Sequence, residues 1–593
     1  MMLKKIDKHT LLLIIIILIQ CIYITVMFGI NKQGFHSDEL WNYGFANSTE
    51  GTHVFKEDIG DVLRNVDSWQ SSQQLRDYIT VDKSEIFNYS SVYYNATQDY
   101  NPPLGYMMLH FICALFPGTW SKWYCFALNI ICFAIMQIYI YKLTKSLTKN
   151  DNAGLIACFF FGFTMAAQNI TIFLRIYSPA TMFGIMLIYY AHELYAKRNS
   201  GENCKSIYVK NFIVNLLGCF TLHFFLPFAF IVTLMYCLYY LFSKHIRRFF
   251  AYGLTMAASV GLSIAIFPAT IRHMFGDSQY YSSLTYTYRQ YPAMWQNKIY
   301  WAYMTNDLFG VHNSIWKTMT GVYTLYIIGI ILFITIPLCF VFRNEKWLKN
   351  IISKIKEIVF DIAKKIKNFQ YTLIVLISTV TFVILIAAFK TSVYSMGRTC
   401  TRYIFIVYPV MAVFAVVTVW YIITYMVKNE HIRDIICVVM SMVFFGLSIA
   451  LASDAYYFRH KEEGVTLTGI EDNANCIIVT NETWTLTCYT CELYNTQHYY
   501  IADYETALKD DYNSDIINNS DPLYLILDVS LMDGNDRKMS LFGTTVIDER
   551  KYTKEYKSSD YEEFFSKIDI ADKAEYVGCD DVFGRVVKIY RLN

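Results

Sequence analysis

Eleven apolar runs, at 10–30, 123–141, 153–173, 177–195, 208–222, 224–241, 249–269, 322–342, 371–389, 403–427 and 435–452, punctuate this chain. Each is close to the ~20 residues that a helix needs to cross a bilayer. A run buried in lipid must satisfy every backbone N–H and C=O internally, and a helix does so without an outside partner. The expected fold is therefore a mainly α polytopic membrane protein with about eleven transmembrane helices. Composition agrees, since 55% of the 593 residues are hydrophobic and only 17% charged, which an ordinary soluble chain of this length does not show. A net charge of +2 offers no polyanion-binding surface, and no nucleic-acid motif is present, so nucleic acid is not an expected partner. The 49 Tyr and 43 Phe suit aromatic belts at both interfaces.

Charge sets the expected orientation. Lys4, Lys5 and Lys8 precede the first run and no small-residue cleavage site follows it, so it reads as a retained anchor with a cytoplasmic N-terminus. Lys142, Lys145 and Lys149, then Lys197, Arg198 and Lys205, then Lys244, Arg247 and Arg248, and then the Lys-rich 343–367 segment all fall on that same side. Within 343–367, Ile352, Ile355, Val359, Ile362 and Ile366 recur at helical spacing against lysines, the pattern of a helix lying on the inner surface. The polar stretch 31–122 is then an outer loop, and eleven crossings leave the C-terminus extracytoplasmic. From residue 453 the composition turns polar, with β-like runs at 476–480, 499–503, 523–528 and 586–591. These predict a small C-terminal extracytoplasmic α/β domain, 453–593, after a membrane domain, 1–452. The domain is expected to shape or select an acceptor. Most of the 15 Cys lie in apolar runs as small core residues. Cys488 and Cys491 form a CxxC that is too little for a zinc site unless Cys476 and Cys579 join it, and the state of these four is open.

The chemistry-bearing residues gather at the outer ends of the runs. HSDELWNYGFANS, 36–48, follows the first run closely, with Ser37 expected to cap a helix whose first turn holds Asp38 and Glu39. The bland reading is helix-start chemistry with no further role. QDYNPPLGY, 98–106, ends the outer loop, with Asn101 as cap and Pro102 in the first turn of a new helix; Asp99, Tyr100, Asn101 and Tyr106 belong to this substrate loop. The apolar 104–116 stretch is too short to cross and is expected along the outer face. Arg175 and Tyr177 open the fourth run, His223 tops a short hairpin, and Lys390, Arg398 and Arg402 precede the tenth run. Arg398 and Arg402 also suit snorkelling interface anchors, and His223 suits a satisfied structural histidine. Arg175, between two apolar runs, is harder to dismiss, because an arginine at mid-bilayer costs roughly 3 kcal/mol and wants an anionic partner. The aromatic loop 280–303 offers ring faces for stacking on a ligand, but reads better as part of the belt.

Two carboxylates beside several cations suit displacement at a phosphate-linked carbon. Charge builds on the leaving oxygens as the bond breaks, so cations must meet them while a base takes the proton of the incoming hydroxyl. Asp38 is the expected base, in a single displacement with inversion. Glu39 is expected to orient a neighbour or a cation. Arg175, Arg398 and Arg402, helped by Lys390 and His223, are the expected phosphate holders, since a guanidinium fork matches phosphate oxygens.

In order and spacing these motifs resemble the GT-C superfamily of glycosyltransferases, in particular its protein O-mannosyltransferase and aminoarabinose transferase branch. The resemblance spans residues 1–450 and rests on Asp38-Glu39, Pro102-Pro103-Leu104-Gly105-Tyr106, Arg175-Ile176-Tyr177 and Arg402-Tyr403. It implies a membrane glycosyltransferase that moves a sugar from a polyprenyl-phosphate-linked donor, held in the lipid bilayer, to an extracytoplasmic acceptor that is a glycan, lipid or protein hydroxyl. Asn101 stands where His or Lys commonly precedes the two prolines, and the Arg175 loop lacks an acid that some relatives carry. The resemblance thus leaves the sugar and any divalent metal ion open. The alternative is a transporter, flippase or ligase for lipid-linked saccharides; a transporter would favour paired inverted repeats with charges near mid-membrane, whereas here they cluster on one face.

Overall fold

The computed structural model describes residues 7–49, 68–99, 101–200, 202–275, 293–309, 353, 369–389, 397–427, 429–450, 455–459, 470–480, 489–502, 522–528, 538–541, 544–547, 574–582 and 585–592. Ten of the eleven apolar runs fall on these residues, and each is helical over most of its length. The run 322–342 and nearly all of the amphipathic 343–367 segment lie outside the described residues.

The first helix, α1 (Lys8–Asn31), has 24 residues, about 36 Å at 1.5 Å per residue, enough to cross a hydrocarbon core of ~30 Å. The Asp7 carboxylate starts it by accepting from the backbone of His9 and Thr10. The next four helices are short and belong to the 31–122 stretch: α2 (Ser37–Asn47), α3 (Gln73–Ile79), α4 (Tyr89–Gln98) and α5 (Leu104–Cys113). The chain returns to long helices with α6 (Lys122–Thr148), followed by α7 (Asp151–Gly162) and α8 (Met165–Ile172). Then come α9 (Tyr177–Ala196), α10 (Lys205–Cys219), α11 (Phe225–Phe242), α12 (Ile246–Ile266), the short α13 (Ala269–Phe275) and α14 (Ala293–Phe309). The last three are α15 (Phe369–Phe389), α16 (Tyr408–Met426) and α17 (Glu430–Ala450). A 3-10 run, Gly397–Val407, leads directly into α16.

Among the described residues five helices are long and apolar enough to cross a membrane, and a sixth if α7 and α8 count as one span. The chain is a multi-pass membrane protein. The expected unbroken helix over 153–173 is instead bent by 63° between α7 and α8. The bend has a local cause. The Thr164 hydroxyl accepts from Ala167 N at 3.2 Å and starts a new helix inside the apolar run. Buried amides tie the spans together: Gln20 of α1 donates to Cys158 O at 2.9 Å, and Gln137 of α6 donates to Gln20 Oε1 at 3.0 Å. In lipid such bonds supply association energy that apolar side chains alone do not.

The C-terminal region builds a six-stranded sheet in the order β1-β3-β2-β4-β8-β7. Its strands are β1 (Trp69–Ser71), β2 (Asn475–Val479), β3 (His498–Ala502), β4 (Leu523–Asp528), β7 (Ala574–Val582) and β8 (Arg585–Leu592), with β5 (Lys538–Leu541) and β6 (Thr544–Ile547) as a separate antiparallel pair. β2 lies between β3 and β4, parallel to both, while β1, β8 and β7 add antiparallel edges. All six residues of β4 are buried, as expected for an interior strand of a mixed sheet covered on both faces. The four β-like runs of the sequence are β2, β3, β4 and β8. β1 comes from the 31–122 stretch, and Arg76 of α3 adds bonds to Tyr494 O at 2.8 Å and Thr496 O at 2.9 Å. Leu75 of α3 is buried in the sheet's apolar core. Cys476 and Cys579 are buried and Cys491 is half-buried, and Cys488 lies outside the described residues.

Candidate active site

Helix α2 carries the acidic pair, and its start differs from expectation. His36, not Ser37, is the cap: His36 Nδ1 accepts from Asp38 N at 3.1 Å, and Glu39 Oε2 accepts from His36 N at 2.7 Å, closing a capping box. A histidine can cap only through an unprotonated nitrogen. Burial pushes the His36 pKa well below its ordinary value and keeps the ring neutral. Both acids still lie in the first turn, but they face different surroundings.

Glu39 is wholly buried and saturated. Its oxygens accept from Lys32 Nζ at 2.7 and 2.8 Å, from His36 N and from Leu174 N at 2.9 Å. Four donors on two oxygens leave no room for a substrate. The Leu174 bond also fixes the loop between α8 and α9, which Asn129 of α6 grips through Thr171 O and Phe173 O. That loop presents Arg175.

Asp38 has no backbone donor to its carboxylate among the described residues and instead meets Arg402, with Nη2 at 3.3 Å. Burial alone would raise its pKa, but Arg402, His36 and Arg175 together outweigh it and bring the pKa down to about 2. With His36 neutral, the two arginines are the charges that matter. Arg175 Nη2 stands 3.9 Å from Asp99 Oδ2, and Asp99 also accepts from the Tyr106 hydroxyl and from Asn101 Nδ2 at 3.2 Å. Asn101 is not a helix cap: helix α5 starts at Leu104 with Pro103 as its cap residue, and the Asn101 amide nitrogen donates to Asp99. Arg402 also donates to the Tyr403 hydroxyl at 3.1 Å, and Tyr177 packs its ring edge-on to Tyr403 at 6.5 Å.

Both guanidinium groups are incompletely matched. Nε and Nη1 of Arg175, and Nε and Nη1 of Arg402, are buried and find no hydrogen-bond partner among the described residues. Each unmatched buried donor costs about 1–3 kcal/mol, and an anion placed beside the two arginines would relieve that cost.

The structure thus brings together Asp38, Arg402, Arg175, Asp99, Asn101, Tyr106 and Tyr177, with Glu39 as their anchor. His223 stands one step away, its Nε2 3.2 Å from His273 Nδ1, while its neighbour Phe224 packs on Tyr403 at 4.5 Å. Lys390, Tyr100 and the Arg398 side chain lie outside the described residues. Lys32 and Tyr457 were not singled out in the sequence. A lysine seven residues before Glu39, at the end of an apolar run, was the available signal for the first. No group of three His, Cys, Asp or Glu side chains suited to a metal ion occurs among the described residues, and Asp38 and Asp99 each face an arginine. These residues do not fit a divalent cation.

No family model and no curated protein matches the chain. Among solved structures it is similar to ArnT from Cupriavidus metallidurans bound to undecaprenyl phosphate, at 10% identity and TM-score 0.45, over 96% of this chain and 97% of that one. It is also similar to the oligosaccharyltransferase AglB from Archaeoglobus fulgidus in complex with an inhibitory peptide and a dolichol-phosphate, at 12% identity and TM-score 0.44, over 88% of this chain and 69% of that one.

Proposed function

We propose that this protein is a GT-C-type membrane glycosyltransferase that moves a sugar from a polyprenyl-phosphate donor to a hydroxyl acceptor on the extracytoplasmic side, with inversion at C1. The observation that carries the reading is the pair of buried arginines, Arg175 and Arg402, with unmatched donors around Asp38 near the end of the first apolar helix.

In the reaction the acceptor oxygen forms a bond to C1 while the C1–O bond to phosphate breaks. The acceptor proton passes to Asp38, and the bonding pair leaves with the phosphate, whose charge rises from one to two. Arg175 and Arg402 meet that added charge, an electrostatic contribution often larger than that of the base. An Asp38 pKa of about 2 makes a weak base in the free enzyme. A bound phosphate offsets the arginine charges, and the Asp38 pKa then rises towards the range in which it can accept a proton.

The test is transfer by purified protein in lipid nanodiscs supplied with polyprenyl-phosphate-linked sugars. Asp38→Asn should abolish transfer, with a loss of at least about 10²-fold for a general base, while binding polyprenyl phosphate more tightly because a negative charge has left the anion site. A loss of only a few-fold would return Asp38 to helix-start chemistry.

A further inference from the structure

A short turn beyond the last helix, Tyr456–Phe458, takes no part in the reaction as described above, yet it is built into the site. Tyr457 O accepts the third proton of Lys32, at 2.7 Å, the other two being spent on Glu39. Gln33 N donates to Phe458 O at 3.1 Å. Tyr457 N donates to Asn169 Oδ1 at 3.3 Å, on the helix that leads to Arg175, and the Tyr457 ring stacks on Phe173 at 3.9 Å. The Tyr457 hydroxyl donates to Thr399 O at 3.3 Å, on the 3-10 run that carries Arg402. Tyr457 is fully buried. One turn therefore bonds to three segments, and each segment holds one member of the cluster: the end of α1 through Lys32 and Glu39 for Asp38, the α8 loop for Arg175, and the Gly397–Val407 run for Arg402.

We infer that Tyr457 is a positioning residue of the reaction centre, wedging these three segments so that Asp38, Arg175 and Arg402 face one another. It touches none of the reacting atoms; it acts through Phe173, Thr399 and Lys32. The inference rests on the reading that those three charged groups carry the transfer. A tyrosine that merely filled the core would, when removed, lower stability and leave the chemistry of surviving molecules alone. A wedge, when removed, lets Arg402 drift from Asp38 and alters the chemistry of the folded enzyme.

The experiment uses full-length protein in nanodiscs with the polyprenyl-phosphate-linked sugar that wild type turns over, comparing wild type, Tyr457→Phe and Tyr457→Ala. Tyr457→Phe keeps the ring stacked on Phe173 but loses the hydroxyl bond to Thr399, and should fall between wild type and Tyr457→Ala in kcat. Tyr457→Ala should lose about tenfold or more in kcat with a much smaller change in donor KM. The acid limb of its kcat/KM profile should move to higher pH, because Asp38 without Arg402 at 3.3 Å titrates closer to an ordinary carboxylate. Should Tyr457→Ala not fold, Tyr457→Leu, which fills much of the space without a flat ring, is measured in the same way with the same expected direction. A folded Ala or Leu variant with wild-type kcat and wild-type acid limb overturns the inference. Absence of transfer by wild type would instead sink the reading beneath it.

Discussion

Asp38 and Glu39 are neighbours in sequence and opposites in environment. Glu39 accepts four hydrogen bonds, two of them from a buried lysine; Asp38 has an arginine whose Nε and Nη1 find no partner among the described residues. The sequence reading takes Asp38 as base and Glu39 as the orienting group, but it lacks the contacts that set them apart, because Leu174 N and Lys32 reach Glu39 only in the fold. The same contrast yields a pH prediction. The folded pKa of Asp38 lies below the ordinary carboxylate value, so its contribution to stability is present above about pH 4 and is lost as pH falls towards 2. On the proposed function the kinetic sign reverses on binding, since donor phosphate would compete for Arg402 and Arg175 and raise the Asp38 pKa. The acid limb of kcat, which reports the bound enzyme, should therefore lie at higher pH than that of kcat/KM, which reports the free enzyme. Coincident limbs would mean that no anion sits on these arginines during turnover.

At the scale of elements, the apolar runs were legible because bilayer thickness imposes a length that few other constraints mimic. The α7–α8 bend was not, since Thr164 sits in an apolar stretch and the strongly polar pair of that run, Gln168-Asn169, comes after the bend. β1 was invisible for a different reason: three residues, Trp69 to Ser71, show no alternation, and their pairing is decided by Tyr500, Tyr499 and His498, more than 400 positions away. Helix α2 is held at the right angle by packing on α3, where Gly44 lies against the Tyr78 ring. A Cβ at position 44 would come within 1.8 Å of the ring, and Tyr78 is itself buried. Gly44→Ala must therefore push α2 and α3 apart. Overpacking of this kind costs about 1–3 kcal/mol, and here it should also tilt the helix that presents Asp38. Thermal unfolding in nanodiscs and transfer rate should fall together; an unchanged midpoint would show that α3 yields freely.

For the whole molecule, the alternating charges between runs predict a single orientation, with the cluster on the extracytoplasmic side. Ser84 and Ser200 are both exposed and lie on opposite predicted faces; of cysteines placed there, only that at Ser84 should react with an impermeant thiol reagent in intact cells. The reverse pattern would move the donor site to the cytoplasm. The second prediction concerns the division at residue 453, which composition suggests and the contacts complicate. Tyr457 carries the third bond of Lys32, β1 completes the edge of the sheet beside β3, and Leu75 is buried among residues of β2, β3, β4 and β8. Cutting after residue 452 would leave the Lys32 ammonium short of an acceptor in a site closed to water, strip the pairing partner from β1 and expose Leu75. The sequence alone would have such a fragment keep its donor chemistry and lose only acceptor selection. The contacts predict otherwise: the 1–452 fragment should fail to bind polyprenyl phosphate, with its loss of binding accompanied by a loss of monodispersity in detergent. Size-exclusion profiles and lipid-phosphate binding measured on one preparation decide it. A monodisperse fragment that binds the lipid phosphate as tightly as the full chain would show that the segment beyond the last helix leans on the site without holding it.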